Sequence, residues 1–167
     1  MSQGFLTRLK PGSRALRLMM NLWPPFRGAG IKVVDIAPDY SRLRVELRMK
    51  LLNRNYVGTH YGGSLFSMTD PFYMIMMMQR LGGGYVVWDK TATIRFRRPG
   101  KGTVHAEFHL SDEEVARVKR LVDAEGRLET TYRIDVKNAA GEVVAEIEKT
   151  LSIKRSDTSS AKLPKAA

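Results

Sequence analysis

The segment of residues 62–81 constrains the fold most strongly, because its apolar side chains would cover nearly every side of a helix. A helix that is apolar all round is stable in water only when other elements surround it. Gly82, Gly83 and Gly84 follow and would end the helix. The segment therefore predicts a buried central helix around which the rest of the chain folds. Its apolar residues are Leu65, Phe66, Met68, Phe72, Tyr73, Met74, Ile75, Met76, Met77, Met78 and Leu81.

Pro71 leaves two starting points open for this helix. If the helix begins near Gly62, Pro71 removes one backbone hydrogen bond and bends it. If it begins at Asp70, the carboxylate is a suitable N-cap and Pro71 a suitable first residue. The local pattern is compatible with both starts.

Alternation of apolar and polar residues predicts β-strands before the helix. It is clearest in residues 40–50, which are preceded by a second predicted strand over residues 30–37. Pro38 and Asp39 between them are typical of a tight turn. The two strands are therefore predicted to form a hairpin.

The second half of the chain is predicted to add four strands and one helix. Residues 91–97 and 104–110 alternate around a turn over residues 98–102, and residues 128–136 and 143–153 alternate around a loop over residues 138–141. A helix over residues 112–124 is expected between these pairs. Its N-cap is Ser111, and Gly126 follows its end. The order of elements indicates an α+β fold, an antiparallel β-sheet wrapped around one long central helix.

The 167 residues, 43% of them hydrophobic, suit one domain, which we assign to residues 28–155. Residues 156–167 are polar, lack periodicity and are predicted to form a disordered tail. Residues 1–27 are predicted to form an amphipathic helix capped by Ser13, followed by a Pro linker. This helix has two interpretations, a basic membrane-surface helix or a helix packed across the domain. Its short length and the presence of Trp23 favour packing.

The composition narrows the classes of partner and compartment. The chain has no Cys, and no segment reaches the roughly 20 apolar residues of a membrane span. Basic residues interrupt the apolar stretch near the N-terminus, which argues against a secretory signal. We therefore expect a cytoplasmic protein. Its net charge of +11 favours a polyanion, which can be nucleic acid, an anionic membrane or the phosphates of coenzyme A.

Six residues around the start of the central helix form a specific motif. They are Asn55, Gly58, Thr59, Gly62, Gly63 and Asp70, and Tyr61 lies directly before the glycine pair. The motif resembles that of the hotdog-fold acyl-CoA thioesterases related to phenylacetate-pathway enzymes, which carry Asn-x-x-Gly-Thr-x-His-Gly-Gly and then an Asp. Tyr61 stands at the family's His position, and His60 lies one residue earlier. The chain is similar to an uncharacterised thioesterase-like branch of this superfamily.

The resemblance implies a hotdog fold, hydrolysis of an acyl thioester, and a pocket at the interface of a homodimer or homotetramer. No cofactor is implied, since coenzyme A would be part of the substrate. The implied catalytic group comprises Asp70 as base or nucleophile, the amides of Gly62 and Gly63 as oxyanion donors, Asn55 as an orienting group, and Tyr61 or His60 near the acyl carbonyl. The implied substrate-binding residues are Thr59, Phe66, Arg95, Arg97, Arg98 and Lys101.

Each of these residues also has a structural interpretation. Asp70 can be a helix cap, the glycine pair can permit close packing, and Asn55, like Asn53, can stabilise a turn. The basic cluster can be a charged sheet face. Its only aromatic neighbour is Phe96, which alternation places on the other face, and this disfavours a nucleic-acid site.

A metal site on the strand of residues 104–110 is rejected. His105, Glu107 and His109 share one face of this strand. At roughly 3.3 Å per residue, they are too widely spaced to converge on an ion about 2 Å from each.

Three functions remain as hypotheses. The first is an acyl-CoA thioesterase. The second is a noncatalytic acyl- or lipid-binding protein that keeps the pocket without the family's His. The third and least favoured is a basic nucleic-acid binder.

Overall fold

The structure, a computed structural model, describes residues 12–156 of the chain. The order of its elements agrees with the predicted α+β architecture. No helix within these residues is long and apolar enough to cross a membrane. The elements are α1 (Ser13–Leu22), α2 (Pro24–Ala29), β1 (Ile31–Ile36), β2 (Arg42–Arg48), α3 (Gly62–Ser67), α4 (Phe72–Leu81), β3 (Tyr85–Phe96), β4 (Thr103–His109), α5 (Asp112–Glu125), β5 (Arg127–Lys137) and β6 (Val143–Arg155).

All six strands form one antiparallel sheet in the order β1-β2-β4-β5-β6-β3. The two predicted hairpins, β1 with β2 and β5 with β6, are confirmed. The middle pair is different, because β3 pairs with β6 while β4 lies between β2 and β5. The turn signal at residues 98–102 marked where β3 ends, but strand pairing depends on distant contacts that a local pattern does not contain.

The central helix is confirmed, and it is interrupted. Helix α3 begins at Gly62, and α4 begins at Phe72, directly after Pro71. Pro71 has no N–H to continue the helical ladder. The start near Gly62 is confirmed, whereas the second segment has Pro71 rather than Asp70 at its N-cap and no side-chain cap hydrogen bond. Asp70 therefore lies at the break between two helical segments. The fully buried residues Met68, Phe72, Met76 and Met77 pack this region into the core.

Strand β3 is longer than the sequence predicted, because it begins at Tyr85 rather than at residue 91. A register shift between Asp89 and Thr91 interrupts its pairing with β6 and hides the alternation in the first half. Trp88 and Phe96 on this strand are exposed. Among the strands of residues 12–156, β3 is also an edge of the sheet, with β6 as its one neighbour.

The N-terminal helix α1 packs beside β1. The side chain of Asn21 donates to the Val33 carbonyl at 2.9 Å and accepts from the Val33 amide at 2.8 Å. The cap differs from the prediction, since Gly12 occupies the N-cap and Ser13 is the first helical residue. The pair Pro24 and Pro25 does end α1, and it also begins α2, where Pro suits the first turn. The predicted tail beyond Ser156 lies outside the described residues.

Replacing Ser111 by Ala should lower the free energy of unfolding by about 1 kcal/mol. The Ser111 hydroxyl accepts a hydrogen bond from the Glu114 amide at 3.2 Å, as predicted for the N-cap of α5. Urea denaturation measures the loss. Ser111→Asp is the matched control, because a carboxylate can also accept at this position. Equal stability of Ser111→Ala and the wild type would contradict the capping role.

Candidate functional site

Asp70 faces a cavity from the break between α3 and α4. Its side chain is 53% exposed, so the carboxylate is accessible. The cavity has a volume of about 210 Å³. One wall comes from the α1–α2 junction and the opposite wall from the helix break. The lining residues are Trp23, Pro25, Phe26, Phe66, Ser67, Asp70 and Pro71.

A buried lysine binds Asp70. The side chain of Lys149 on β6 is fully buried, and its Nζ donates to Asp70 Oδ1 at 2.8 Å and to the Asp70 carbonyl. The same Nζ lies 3.2 Å from Oδ2 of Asp89 on β3. Within the described part of the chain, Oδ2 of Asp70 makes no hydrogen bond. Lys149 therefore holds one carboxylate oxygen and leaves the other accessible.

Sequence reasoning missed Lys149 and Asp89. The signal for Lys149 was its position on β6, where it shares the inward face with Ile147 and Leu151. A lysine at an inward strand position requires a partner, because burying an unpaired ammonium is very costly. That rule predicts a buried carboxylate near Lys149, although it does not say which one.

Asp89 is half-buried, and this burial raises the pKa of its carboxyl. The charge and hydrogen bond of Lys149 oppose the rise in this pKa, while the nearby Asp70 adds to it. Oδ1 of Asp89 is buried and makes no hydrogen bond within residues 12–156. One ammonium thus serves two carboxyl groups, of which Asp89 is the more buried.

Phe66 lies beside this charged cluster. Its ring forms part of the cavity wall, and Nζ of Lys149 lies 6.0 Å from the ring centroid. The structure therefore brings Asp70 and Phe66 together at one cavity, with Lys149 and Asp89 behind them.

Both glycines at the start of α3 make room for aromatic rings. A Cβ on Gly62 would come within 2.9 Å of the Phe96 ring, and one on Gly63 within 2.3 Å of the Tyr61 ring. This supports the packing interpretation of the pair. Their amides also begin a helix, where an N–H has no carbonyl four residues earlier to bond. The two roles are compatible, since close packing and open donors both require the absence of a side chain.

Tyr61 and His60 point in different directions. Tyr61 is largely exposed and precedes α3. His60 is buried, and its Nε2 donates to the Gly102 carbonyl at 2.8 Å. Burial lowers the pKa of His60, and the bond to Gly102 only partly opposes this. Nδ1 of the neutral ring is buried without a hydrogen bond among the described residues.

Asn55 and Thr59 stabilise the same loop. Asn55 accepts from the Thr59 amide at 2.9 Å and donates to the Thr59 hydroxyl at 2.9 Å and to the His60 carbonyl at 3.2 Å. Asn53 is likewise engaged, since it donates to the carbonyls of Ala29 and Arg48 at 2.8 Å. The structural interpretation of both asparagines is therefore supported by their contacts.

The basic cluster is largely paired at the surface. Arg97 donates to Glu146 at 2.6 Å, and Arg98 is paired with Glu142. Arg95 and Lys101 are exposed. Phe96 was predicted to face away from the arginines, but β3 ends there, and its ring lines the same cavity as Arg97 and Arg98.

This second cavity has a volume of about 480 Å³ and shares no lining residue with the cavity at Asp70. It brings together several of the predicted residues with the turn after β3. Asn55, Tyr61, Gly63, Arg95 and Lys101 line neither cavity. The lining residues are Val57, Thr59, His60, Gly62, Leu65, Phe96, Arg97, Arg98, Pro99 and Gly100.

Residues 12–153 match the family model described as "Domain of unknown function (DUF4442)". The chain belongs to this family. No curated protein has a significantly similar sequence. The fold of the DUF4442 chain is the hotdog fold, as its similarity to solved thioesterase-like structures shows.

Three solved structures illustrate the similarity. A Pseudomonas aeruginosa protein described as a probable thioesterase of unknown function has a TM-score of 0.78 and 22% identity, covering 87% of this chain and 97% of its own. A Haemophilus influenzae thioesterase has a TM-score of 0.63 and 13% identity, covering 88% and 93%. The PaaI protein of the phenylacetic acid degradation operon of Escherichia coli has a TM-score of 0.56 and 19% identity, covering 86% and 91%.

Replacing Lys149 by Met should destabilise the protein by about 3–5 kcal/mol at neutral pH, because two carboxylates lose their cation. The loss should be smaller near about pH 4. Without Lys149, the folded-state pKa of Asp89 rises further above its unfolded value, so stability is retained at low pH and falls as pH rises through that pKa. Urea denaturation at both pH values measures this.

The double variant Lys149→Met with Asp89→Asn is the control for this cycle. It removes the uncompensated carboxylate, and we expect it to recover part of the lost stability. An equal loss for Lys149→Met at both pH values, with no recovery in the double variant, would contradict the ion-pair account.

Proposed function

We propose that this protein is an acyl-CoA thioesterase of the cytoplasm that acts as a homo-oligomer. The observation that carries the proposal is the position of Asp70, whose accessible carboxylate is held by a buried Lys149 at the edge of an apolar-walled cavity. A carboxylate at the edge of an apolar cavity can act on a carbonyl group whose acyl chain occupies that cavity.

Lys149 is proposed to orient Asp70. Its hydrogen bond at Oδ1 restricts rotation of the carboxylate, which leaves Oδ2 for the reaction. Restricting a reacting group before substrate binds removes part of the entropic barrier. Lys149 is thus proposed as a positioning residue rather than a catalytic one.

In the proposed reaction, Asp70 accepts a proton from water while the water oxygen attacks the thioester carbonyl carbon. The carbonyl oxygen becomes negatively charged and accepts hydrogen bonds from the amides of Gly62 and Gly63. The C–S bond then breaks, the thiolate of coenzyme A leaves, and the proton on Asp70 neutralises it. Direct attack by Asp70 on the thioester, through an anhydride that water hydrolyses, uses the same groups.

The separation of Asp70 from Gly62 supports a site shared between subunits. Eight residues correspond to about 12 Å along a continuous helix, whereas reacting atoms must approach to about 3 Å. The two residues also line different cavities in one chain. We therefore propose that Asp70 of one copy acts together with the Gly62 and Gly63 amides of another.

The free edge of β3 offers the surface for this assembly. It is a long edge strand with exposed Trp88 and Phe96, and such edges are usually paired or covered. In a two-fold antiparallel pairing, the end of one β3 meets the beginning of the other. Phe96, which contacts Gly62, would then approach the half of the other strand that contains Asp89. This arrangement supports a homodimer, which can pair further into a homotetramer.

The acyl group is proposed to occupy the cavity at Asp70. A dry apolar cavity of about 150 Å³ binds benzene, so about 210 Å³ suits an aromatic or medium-length acyl group. Trp23, Phe26 and Phe66 supply its apolar walls. Asn55, Tyr61 and His60 are assigned supporting roles, through the loop that holds the start of α3.

The basic residues beside the second cavity are proposed to bind the phosphates of coenzyme A. Arg97 and Arg98 are 48% and 45% exposed in their pairs with Glu146 and Glu142, and ion pairs at the surface contribute little to stability. A phosphate can therefore displace the carboxylates at low cost. Arg95, Lys101 and Thr59 complete this proposed subsite. The proposal includes neither a cofactor beyond coenzyme A itself nor a nucleic-acid partner.

A noncatalytic acyl- or lipid-binding protein is the second candidate. The ion pair between Lys149 and Asp70 favours it, because one carboxylate oxygen is already engaged in a structural contact. The presence of Tyr61 at the family's His position also favours this candidate. Both candidates use the same cavity and differ only in turnover.

Asp70→Asn should reduce turnover of acyl-CoA substrates by about 10²- to 10⁴-fold, because the amide accepts no proton. Release of free thiol from a panel of short, long and aromatic acyl-CoA thioesters measures this. Light scattering should give an unchanged oligomer size. Asp112→Asn is the matched control, since this carboxyl is exposed on α5 and should leave turnover unchanged.

Wild-type protein that is inert to the whole panel would contradict the thioesterase. If native mass spectrometry of that protein also finds an acyl ligand retained through purification, the second candidate is supported instead.

Trp88→Glu should reduce the oligomer to a smaller assembly and lower turnover, because a charge would be placed on the proposed β3 interface. The side chain is 53% exposed in the single chain, so folding should be little affected. Size-exclusion chromatography with light scattering measures the mass. Ala116→Glu, on the exposed surface of α5, is the control. An unchanged mass for Trp88→Glu would argue against pairing through β3.

A further inference from the structure

Helix α1 and the residue after it carry a second apolar face that stays exposed among residues 12–156, although the Trp23 ring packs 5.2 Å from that of Phe26. Leu18, Met19, Leu22 and the following Trp23 are 61%, 43%, 57% and 47% exposed. We call these four residues the α1 surface. Leu16 and Met20, in contrast, are half-buried and packed against the core. An amphipathic helix needs one apolar face to pack on its domain, so the α1 surface is not explained by folding.

Helical geometry keeps the two faces apart. Residues three and four apart lie on the same side of a helix, so Leu22 lies on the same side as Leu18 and Met19. Asn21, which faces β1, exchanges two hydrogen bonds with Val33 and holds the helix in this orientation. The α1 surface is thus kept facing outward.

Positive charge flanks the α1 surface, mainly on the side of β1. Arg14, Arg17, Arg27 and Lys32 are all exposed. Arg17 donates to the Val34 carbonyl at 2.9 Å, and Arg27 and Lys32 line a cavity with Asn21. The first 34 residues contain these four cations together with Arg8 and Lys10, and no Asp or Glu. No other segment of comparable length in this sequence lacks acidic residues while holding six basic ones.

We propose that the α1 surface binds the face of an anionic phospholipid bilayer. Leu, Met and Trp side chains on a basic helix are typical of helices that lie in the membrane interface, where Trp is favoured and arginines meet lipid phosphates. A second copy of the chain fits less well, because a two-fold contact would bring the same cations against each other. The charge pattern thus selects an anionic partner with an apolar interior.

Trp23 connects this surface to the cavity at Asp70, because it belongs to both. Docking would therefore bring the mouth of that cavity close to the lipid. The proposal does not rest on the proposed hydrolysis, since binding to vesicles requires no turnover.

Co-sedimentation of the full chain with vesicles tests the proposal. We expect binding to phosphatidylcholine vesicles that contain phosphatidylglycerol, and much weaker binding to phosphatidylcholine alone. Leu18→Ser with Leu22→Ser should weaken binding at least about tenfold by removing apolar contact. Arg14→Gln with Arg27→Gln should also weaken it at least about tenfold, because each cation near an anionic surface contributes roughly fivefold.

Arg120→Gln with Lys154→Gln is the matched control. It makes the same change in net charge at exposed positions of α5 and β6, and binding should change less than about threefold. Circular dichroism verifies that each variant is folded.

Three results would overturn the proposal. Wild-type protein that does not bind the anionic vesicles would mean that the α1 surface is covered or inert. Equal binding by the serine variant and the wild type would exclude the apolar contact. A change in oligomer mass in the serine variant, measured by light scattering without lipid, would identify a second copy of the chain as the occupant instead.

Discussion

The buried ammonium of Lys149 is the contact on which the geometry of the candidate site depends. It reaches the carboxylate and carbonyl of Asp70 at the helix break and the carboxylate of Asp89 at the shifted register of β3. An ammonium in this position is stable only if its donors are satisfied, so the sheet and the helix break must keep their relative positions. The same contact determines where the accessible oxygen of Asp70 lies. Core packing and the candidate chemistry therefore depend on one side chain.

One ammonium serves two carboxyl groups in this arrangement. Lys149 orients the Asp70 carboxylate and also lies within 3.2 Å of Asp89. Burial raises the pKa of Asp89, and a protonated Asp89 would leave Lys149 to Asp70 alone. An ionised Asp89 would instead share the ammonium and weaken its hold on Asp70. The hold of Lys149 on Asp70 therefore depends on the charge of Asp89.

Local sequence signals predicted the elements well and the site only in part. Ser111 and Gly126 mark the ends of α5, and the alternation in β2, β5 and β6 predicts two hairpins, because these features depend on near neighbours. The pairing of β3 with β6 and the contact of Lys149 with Asp70 join residues far apart in sequence. The resemblance singled out Asp70 from its motif, but no motif contains its partners. A lysine among inward apolar positions was the one visible sign of them.

The N-terminal helices are part of the site rather than an appendage to it. The Pro-Pro step after Trp23 ends α1, starts α2 and turns Phe26 into the core, where its ring packs 6.0 Å from that of Phe72. This turn carries Trp23 and Pro25 over the helix break and closes one side of the cavity at Asp70. The predicted domain boundary after residue 27 therefore separates residues that line the same cavity. Because Trp23 also ends the exposed apolar face of α1, this short segment contributes both to the cavity wall and to the exposed apolar surface beside the cavity.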